Sequence, residues 1–400
     1  MLRHEYVHFL QFQSAPAPYP FWYQEGFAEY LSSVKYRDGA MWVGEILMAR
    51  AAALKVNEWL YVRKLVEGDR DEWDGYSIYG QSWLLTHMLY TDPKYRTGRS
   101  TLLQLLADGA KPREAFETAF GVNYQSLDTD MRDYYKAGKF YSYKFVIEEP
   151  VFDIEGPIVL SDKEAEAAKW RAKLALRRSE KAARRLVRDL KKALKKDPHN
   201  NDLHEILLKA WTNANDWDAA AVQAKQSLAM PAVSPAVKAI AGEVLWQAEV
   251  ERRRALLKDA KDEENEGSSD PDLGLDDMFL QTVRGYMEEG IDADPLNARA
   301  RMWHAGTYIY GGQNDFDAAA ESIKQAYILY PQRWRIRRQY ADLLYTQKSF
   351  DQACLLYGPL YRTTRSKSEL KGIKARLKEL APDHPDCKIR ELEETPETSR

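Results

Sequence analysis

The chain has 400 residues, of which 44% are hydrophobic and 30% are charged, and its formal net charge is −3. This length allows two or three domains, and the near-neutral charge gives no general attraction to nucleic acid or to an anionic membrane. No apolar run reaches the ~20 residues that a membrane-spanning helix needs. We therefore expect a globular chain with no membrane span and no nucleic-acid partner.

The first predicted helix contains the segment "RHEYVHFLQFQ". His4 and His8 are four residues apart and would share one face of a helix, which would let both imidazoles reach one Zn²⁺ at ~2.0–2.1 Å. Glu5 would lie beside that ion and could take a proton from a zinc-bound water. The spacing alone also fits an amphipathic helix with one polar face. A metal site therefore needs a further ligand from elsewhere in the sequence.

The second predicted helix contains "FWYQEGFAEYLS", in which Glu25 and Glu29 are also four residues apart. A catalytic zinc site needs a third protein ligand and one open position. Together with the HExxH segment, this stretch resembles the gluzincin metallopeptidases, the clan of thermolysin and aminopeptidase N. The resemblance implies that Glu25 is the third zinc ligand and that Glu29 accepts the free N–H of His4 and fixes its tautomer. Gln24 stands where these peptidases commonly have Asn.

A third segment, "YSIYGQSWLLTHML", resembles the part of these peptidases that presents a tyrosine hydroxyl to the developing oxyanion. The match implies Tyr79 as that donor, with Ser82 opening the apolar helix and Tyr76 as the alternative donor. The chain has 24 tyrosines, and an ordinary packing role is the competing interpretation. His87, in the middle of the apolar helix, is predicted to be a packed core histidine and not a ligand.

Residues 1–145 as a whole are predicted to be helices broken by turns. The stretch "LLQLLADGAKPREAFETAFGVNYQSLDTDMRDYY" resembles the closing helices of a bacterial peptidase-like family of unknown function within the gluzincin clan. Gluzincins normally place a β-sheet before the HExxH helix, whereas three residues precede His4 here. We therefore expect a truncated gluzincin-like helical catalytic subdomain. The compartment is unknown, and it would be periplasmic or secreted if an upstream leader exists.

Residues 161–381 have apolar residues at helical spacing and contain a repeated pattern. The segments "DWDAA", "DFDAA" and "SFDQA" place an aromatic residue, Trp217, Phe316 or Phe350, three positions before an alanine. Small residues further along and a proline near the end of a unit complete a pattern that resembles tetratricopeptide repeats, with a period of ~34 residues. The resemblance implies an α-solenoid of paired helices that recruits a protein partner.

The remaining segments have simpler interpretations. Residues 146–160 are predicted to be an extended linker, and residues 382–400 a disordered tail. The basic stretch "KAARRLVRDLKKALKK" is predicted to be a solvated helix face, because acidic residues are interspersed nearby and aromatic residues for stacking are nearly absent. An acidic insertion near 258–277 lacks the regular oxygen-ligand spacing of a Ca²⁺ loop. The two cysteines, Cys354 and Cys387, could be free or paired.

Two functions from different classes follow from these patterns. The first is a zinc-dependent metallopeptidase that hydrolyses peptide bonds by Glu5-assisted attack of a zinc-bound water, with the repeats recruiting a peptide or protein substrate. The second is a non-catalytic tetratricopeptide-repeat scaffold in which the zinc site is structural or vestigial. Occupied positions for ligands, base and oxyanion donor favour the enzyme, whereas the missing sheet favours the scaffold.

Overall fold

A computed structural model describes residues 2–14, 19–68, 75–107, 110–147, 156, 159–176, 179–259, 274–311, 316–363, 367–384 and 387–388. Within these residues helices predominate and the strands are short, which confirms the prediction of a mainly α chain. The chain divides into two compact units. The first consists of Met1–Asp153, Pro331–Arg337 and Phe350–Arg400, and the second of Ile154–Tyr330 and Arg338–Ser349. None of the helices described is long and apolar enough to cross a membrane.

The N-terminal part of the first unit is built from helices around one aromatic-rich core. They are α1 (Leu2–Ser14), α2 (Phe21–Ser32), α3 (Met48–Val56), α4 (Val62–Glu67), α5 (Gly75–Thr91), α6 (Pro93–Arg96), α7 (Arg99–Ala107), α8 (Pro112–Phe120) and α9 (Tyr124–Ala137). The core includes the fully buried side chains of Trp22 on α2, Trp83 on α5 and Phe116 on α8. Burial of such large aromatic side chains is the main source of stability for this part of the chain.

Helix α2 lies unusually close to α5, and Gly26 makes this possible. A Cβ atom built at Gly26 would lie 2.3 Å from the carbonyl oxygen of Ser82 and 2.3 Å from Oγ1 of Thr86. Both neighbours belong to α5, and one of them is backbone, which cannot move aside. Glycine at this position therefore sets the distance between the two helices, directly beside Glu25 on α2.

A small antiparallel sheet accompanies the helices of the first unit. Its strands are β1 (Lys35–Arg37), β2 (Ala40–Val43) and β3 (Tyr143–Val146), in the order β1-β2-β3. Asp38 and Gly39 connect β1 to β2 with φ angles of 53° and 68°, the left-handed values that a two-residue type I′ hairpin turn requires. The expectation of helices and turns alone in residues 1–145 was wrong here. The Asp-Gly pair between two strand-like segments was a signal for this hairpin.

His87 is a packed core residue, as predicted. It is fully buried on α5. Its Nε2–H donates to the carbonyl oxygen of Gly44 at 2.8 Å, and its Nδ1 lies 2.7 Å from the Tyr134 hydroxyl and 3.1 Å from that of Thr91. Burial lowers the pKa of His87 to about 4, and the imidazole is therefore neutral at physiological pH.

The second unit is a row of paired helices. They are α10 (Asp162–Leu176), α11 (Glu180–Leu194), α12 (Asn201–Asn213), α13 (Trp217–Leu228), α14 (Pro235–Asp259), α15 (Asp277–Ala293), α16 (Ala298–Ile309) and α17 (Phe316–Leu329). From α11 to α17 each helix packs against the next, and α12 and α14 also pack against the next helix but one. Packing only between near neighbours is the arrangement of an α-solenoid. The predicted helical-repeat fold is confirmed.

The repeated sequence pattern coincides with the start of the second helix in a pair. Trp217 and Phe316 are the first residues of α13 and α17, and Phe350 is the first residue of α19 (Phe350–Thr363). The alanines three positions later, Ala220 and Ala319, are fully buried. Small side chains at these positions allow the helices of a pair to approach closely, which is the role inferred from the sequence. The remaining helices are α18 (Trp334–Thr346) and α20 (Lys367–Leu380).

Several further predictions can be compared with the described residues. Gly121 ends α8 in the left-handed conformation that glycine adopts readily. Cys354 and Cys387 are paired in a disulfide, which resolves the alternative left open by the sequence. Most of the predicted linker (146–160), acidic insertion (258–277) and tail (382–400) lies outside the described residues. The predicted domain boundaries stay predictions.

The close approach of α2 and α5 predicts a strong effect of Gly26→Ala. We expect the free energy of unfolding of the first unit to fall by about 1–3 kcal/mol, because the added methyl group collides with the backbone of α5. Urea unfolding followed by tryptophan fluorescence measures this change. Gly285→Ala on α15 is the control, since no atom lies within 4 Å of its Cβ position, and it should be neutral or slightly stabilising. An unchanged urea midpoint for Gly26→Ala would contradict the close contact.

The buried neutral His87 predicts a pH-dependent loss of stability. The unfolded chain takes up a proton on this residue near pH 6.5 and the folded chain only near pH 4, so the free energy of unfolding falls as the pH decreases between these values. His87→Gln is uncharged throughout, and its melting temperature should approach that of the unmodified protein between pH 6.5 and pH 4. Calorimetry over this range measures the difference. If the difference in melting temperature between the two proteins stays constant with pH, His87 does not titrate in this way.

Candidate metal centre

Helices α1 and α2 bring together the three residues predicted as zinc ligands. Nε2 of His4 lies 3.2 Å from Oε2 of Glu25, Nε2 of His8 lies 3.4 Å from the same oxygen, and the two Nε2 atoms are 3.1 Å apart. Within the described part of the chain, these three residues form the one group of His, Cys, Asp or Glu side chains close enough to hold a metal ion. The ligand atoms of the group all lie within 4.8 Å of one another.

The chemistry of this group fits a divalent cation. Glu25 is buried, and no donor among the described residues is aligned well enough to form a directional hydrogen bond with its Oε2. Two imidazole nitrogens nevertheless converge on that oxygen. Two nitrogens and one carboxylate oxygen pointing at a common position are the ligands that Zn²⁺ takes in catalytic sites, where a fourth position stays open. The residues therefore fit zinc.

Each histidine is oriented by a second hydrogen bond. Nδ1 of His4 lies 3.2 Å from Oε1 of Glu29, the partner implied by the family resemblance. Nδ1 of His8 lies 3.3 Å from Oε1 of Gln11, one helical turn further along α1. A proton on each Nδ1 leaves the Nε2 lone pairs directed at the ligand position. Gln11 was not among the residues predicted from the sequence, although a hydrogen-bonding side chain three residues after a histidine on a helix was a signal for it.

The charges of the cluster are coupled. Close contact with the carboxylates of Glu25 and then Glu29 raises the pKa of His4 to about 9. Burial alone would raise the pKa of Glu25, but the nearby imidazoles of His4 and His8 lower it to about 2. Burial alone would also raise the pKa of Glu29, but hydrogen bonds from His4 and Arg50 lower it. Both carboxylates are therefore anionic at neutral pH, the state required to bind or orient a metal ligand.

Tyr79 lies on α5 beside the histidines. The centroids of the Tyr79 and His4 rings are 6.4 Å apart, and Tyr79 is half-buried. The structure thus brings the predicted oxyanion donor to the cluster from a third helix. Ser82, its predicted companion, is buried against Gly26 and belongs to the packing of α2 on α5. The side chain of Tyr76, the alternative donor, is outside the described residues.

Glu5 is exposed on α1, next in sequence to His4. No hydrogen bond or ion pair with the described residues holds its carboxylate. Exposed apolar side chains surround it on the same helix, among them Leu2, Tyr6 and Phe9. Glu5 is therefore an exposed carboxylate next to a predicted metal ligand, the place that the HExxH spacing gives it.

Arg50 on α3 is a further charged residue of the cluster that sequence reasoning did not identify. Its guanidinium donates to Oε1 of Glu29 and forms an ion pair with it. Its Cζ lies 5.1 Å from the centroid of the Tyr79 ring, in a cation–π contact. Arg50 is 21 residues from Glu29 in the sequence, and no local motif connects the two.

Comparisons with known proteins establish no family for this chain. No family model and no curated protein matches it. A solved structure described as "Crystal structure of MamA protein" is 14% identical, with a TM-score of 0.32, and covers 52% of this chain and 96% of its own. A second, "MamA RS-1 ArsTM double mutant", is 16% identical, with a TM-score of 0.28, and covers 54% of this chain and 97% of its own. Likenesses this weak support no argument about fold or function.

Proposed function

We propose that the chain is a zinc-dependent metallopeptidase that hydrolyses peptide bonds, with its zinc held by His4, His8 and Glu25. The main support is the convergence of these three side chains on one position while Glu29 holds the far nitrogen of His4. The ligands and the orienting carboxylate come from the two helices whose sequences together resemble the gluzincins. A bound zinc ion supplies this chemistry with a polarised water of lowered pKa.

The other residues of the cluster have separate tasks in this proposal. Glu5 is exposed and unpaired, and it accepts a proton from the attacking water and passes it to the leaving amine. Tyr79 donates its hydroxyl to the oxygen on which negative charge develops in the transition state. Glu29 keeps the proton of His4 on Nδ1. The paired helices of the second unit recruit the peptide or protein substrate, the use that repeat arrays of this type commonly serve.

A second function has its own support in the structure. His4 already forms close contacts with Glu25 and Glu29, and these contacts raise its pKa to about 9. A protonated His4 between two carboxylates is a complete ionic network that needs no metal. In that case the cluster is structural, and the chain is a scaffold whose stacked helix pairs bind a protein partner.

The ligand assignment predicts one zinc ion per chain. Elemental analysis after reconstitution should give one equivalent for the unmodified protein. Both His8→Ala and Glu25→Gln should lose most of it, because each removes one of three protein ligands. The control is His199→Ala, which changes an exposed histidine between α11 and α12. A protein that holds no zinc after reconstitution would exclude the site, and full occupancy in His8→Ala would exclude this ligand set.

The role of Glu5 predicts a separation of metal binding from turnover. Glu5→Gln should retain one zinc, while cleavage of a peptide library falls by ~10²–10⁴-fold, the usual cost of removing a general base. Tyr79→Phe should also retain zinc and reduce turnover, because it removes one hydrogen-bond donor to the transition state. Tyr61→Phe, at an exposed tyrosine, is the control for the second variant. Zinc-loaded protein that cleaves no library peptide but captures a protein partner would favour the scaffold.

A further inference from the structure

Arg50 contacts two residues of the site, Glu29 and Tyr79. On one side its guanidinium is paired with Oε1 of Glu29, the same oxygen that lies 3.2 Å from Nδ1 of His4. On the other side it packs on the ring of Tyr79, 5.1 Å from the ring centroid. One residue of α3 therefore contacts both the carboxylate that orients a zinc ligand and the predicted oxyanion donor.

The ion pair between Arg50 and Glu29 lies in a partly buried environment. The side chain of Glu29 is 7% exposed and that of Arg50 is 30% exposed, so the ion pair is largely shielded from solvent. A buried carboxylate with only the neutral form of His4 as a partner would be poorly compensated once a metal occupied Nε2. The Arg50 guanidinium gives this carboxylate a second partner besides Nδ1 of His4. The planar guanidinium can also donate to Glu29 while its face lies on an aromatic ring, which a lysine ammonium cannot do.

We propose that Arg50 is a positioning residue for the zinc site, which acts by holding Glu29 against Nδ1 of His4 and by fixing the ring of Tyr79. This inference rests on the proposed zinc site, and it adds a residue that the family resemblance did not supply. Among the described residues, the side-chain contacts of Arg50 are with Glu29 and Tyr79 and not with His4, His8 or Glu25. Its effect on zinc reaches the metal only through Glu29 and His4.

The test measures zinc affinity by competition with a chromophoric chelator, without an activity assay. Arg50→Met should bind zinc about 10-fold more weakly, because loss of an outer hydrogen-bond partner of a ligating histidine typically costs 10- to 100-fold. Arg50→Lys keeps the charge and should recover part of that loss. Arg63→Met is the control, since Arg63 forms a solvent-exposed ion pair with Glu67 on α4, and neither residue belongs to the cluster. Its zinc affinity should equal that of the unmodified protein.

A double-variant comparison separates positioning from a merely structural role. In a Glu29→Gln background, Arg50→Met should change zinc affinity less than about 2-fold, because the residue through which it acts is already neutral. A structural role would lower the affinity by the same factor in both backgrounds. Thermal melting of the metal-free variants identifies any that are unfolded. If Arg50→Met is unfolded, the same comparison of zinc affinities is made with Arg50→Lys, the milder change.

The outcomes distinguish this inference from the proposed function. If the unmodified protein binds zinc and Arg50→Met binds it equally well, the positioning role is wrong and the zinc site stands. If Arg50→Met weakens zinc equally with and without Glu29, the residue is structural and the inference also fails. If the protein binds zinc and Arg50 behaves as expected but no peptide is cleaved, the inference holds and the peptidase proposal does not. A protein that binds no zinc overturns both.

Discussion

Two buried carboxylates on one helix impose the main constraint on the first unit. Glu25 and Glu29 lie one turn apart on α2, both are anionic at neutral pH, and both are largely removed from solvent. A charge in such a position is tolerated only with close positive or polar partners. His4 and His8 on α1 and Arg50 on α3 supply them.

The depth of the two carboxylates depends in turn on Gly26. A side chain at this position would collide with α5. The glycine therefore allows α2 to pack closely against α5, and its neighbour Glu25 is buried as a result. The same approach places α5 near α1, so that Tyr79 comes within reach of His4. One residue without a side chain thus determines both the burial of a predicted ligand and the position of the tyrosine.

The sequence predicted the part of the site that local spacing determines. The two histidines, and likewise the two glutamates, are four residues apart on single helices, and helical geometry puts each pair on one face. The starts of α13, α17 and α19 were predictable for the same reason, because the aromatic and alanine positions follow helical periodicity. Arg50 and the pairing of β2 with β3 depend on contacts between residues far apart in the chain, which no local pattern encodes. The β1–β2 hairpin is different, since its two-residue Asp-Gly turn was visible in the sequence.

The disulfide between Cys354 and Cys387 makes part of the first unit responsive to its surroundings. It links α19 to the segment after α20 and closes a loop with a sequence separation of 33. By the loop-entropy relation a cross-link of this span restricts the unfolded chain by about 3–4 kcal/mol. In a glutathione-rich, reducing environment that restriction is absent, and the segment is held by weaker contacts such as the pairing of His384 with Asp351. The oxidation state of the solution thus sets how firmly the C-terminal segment is anchored.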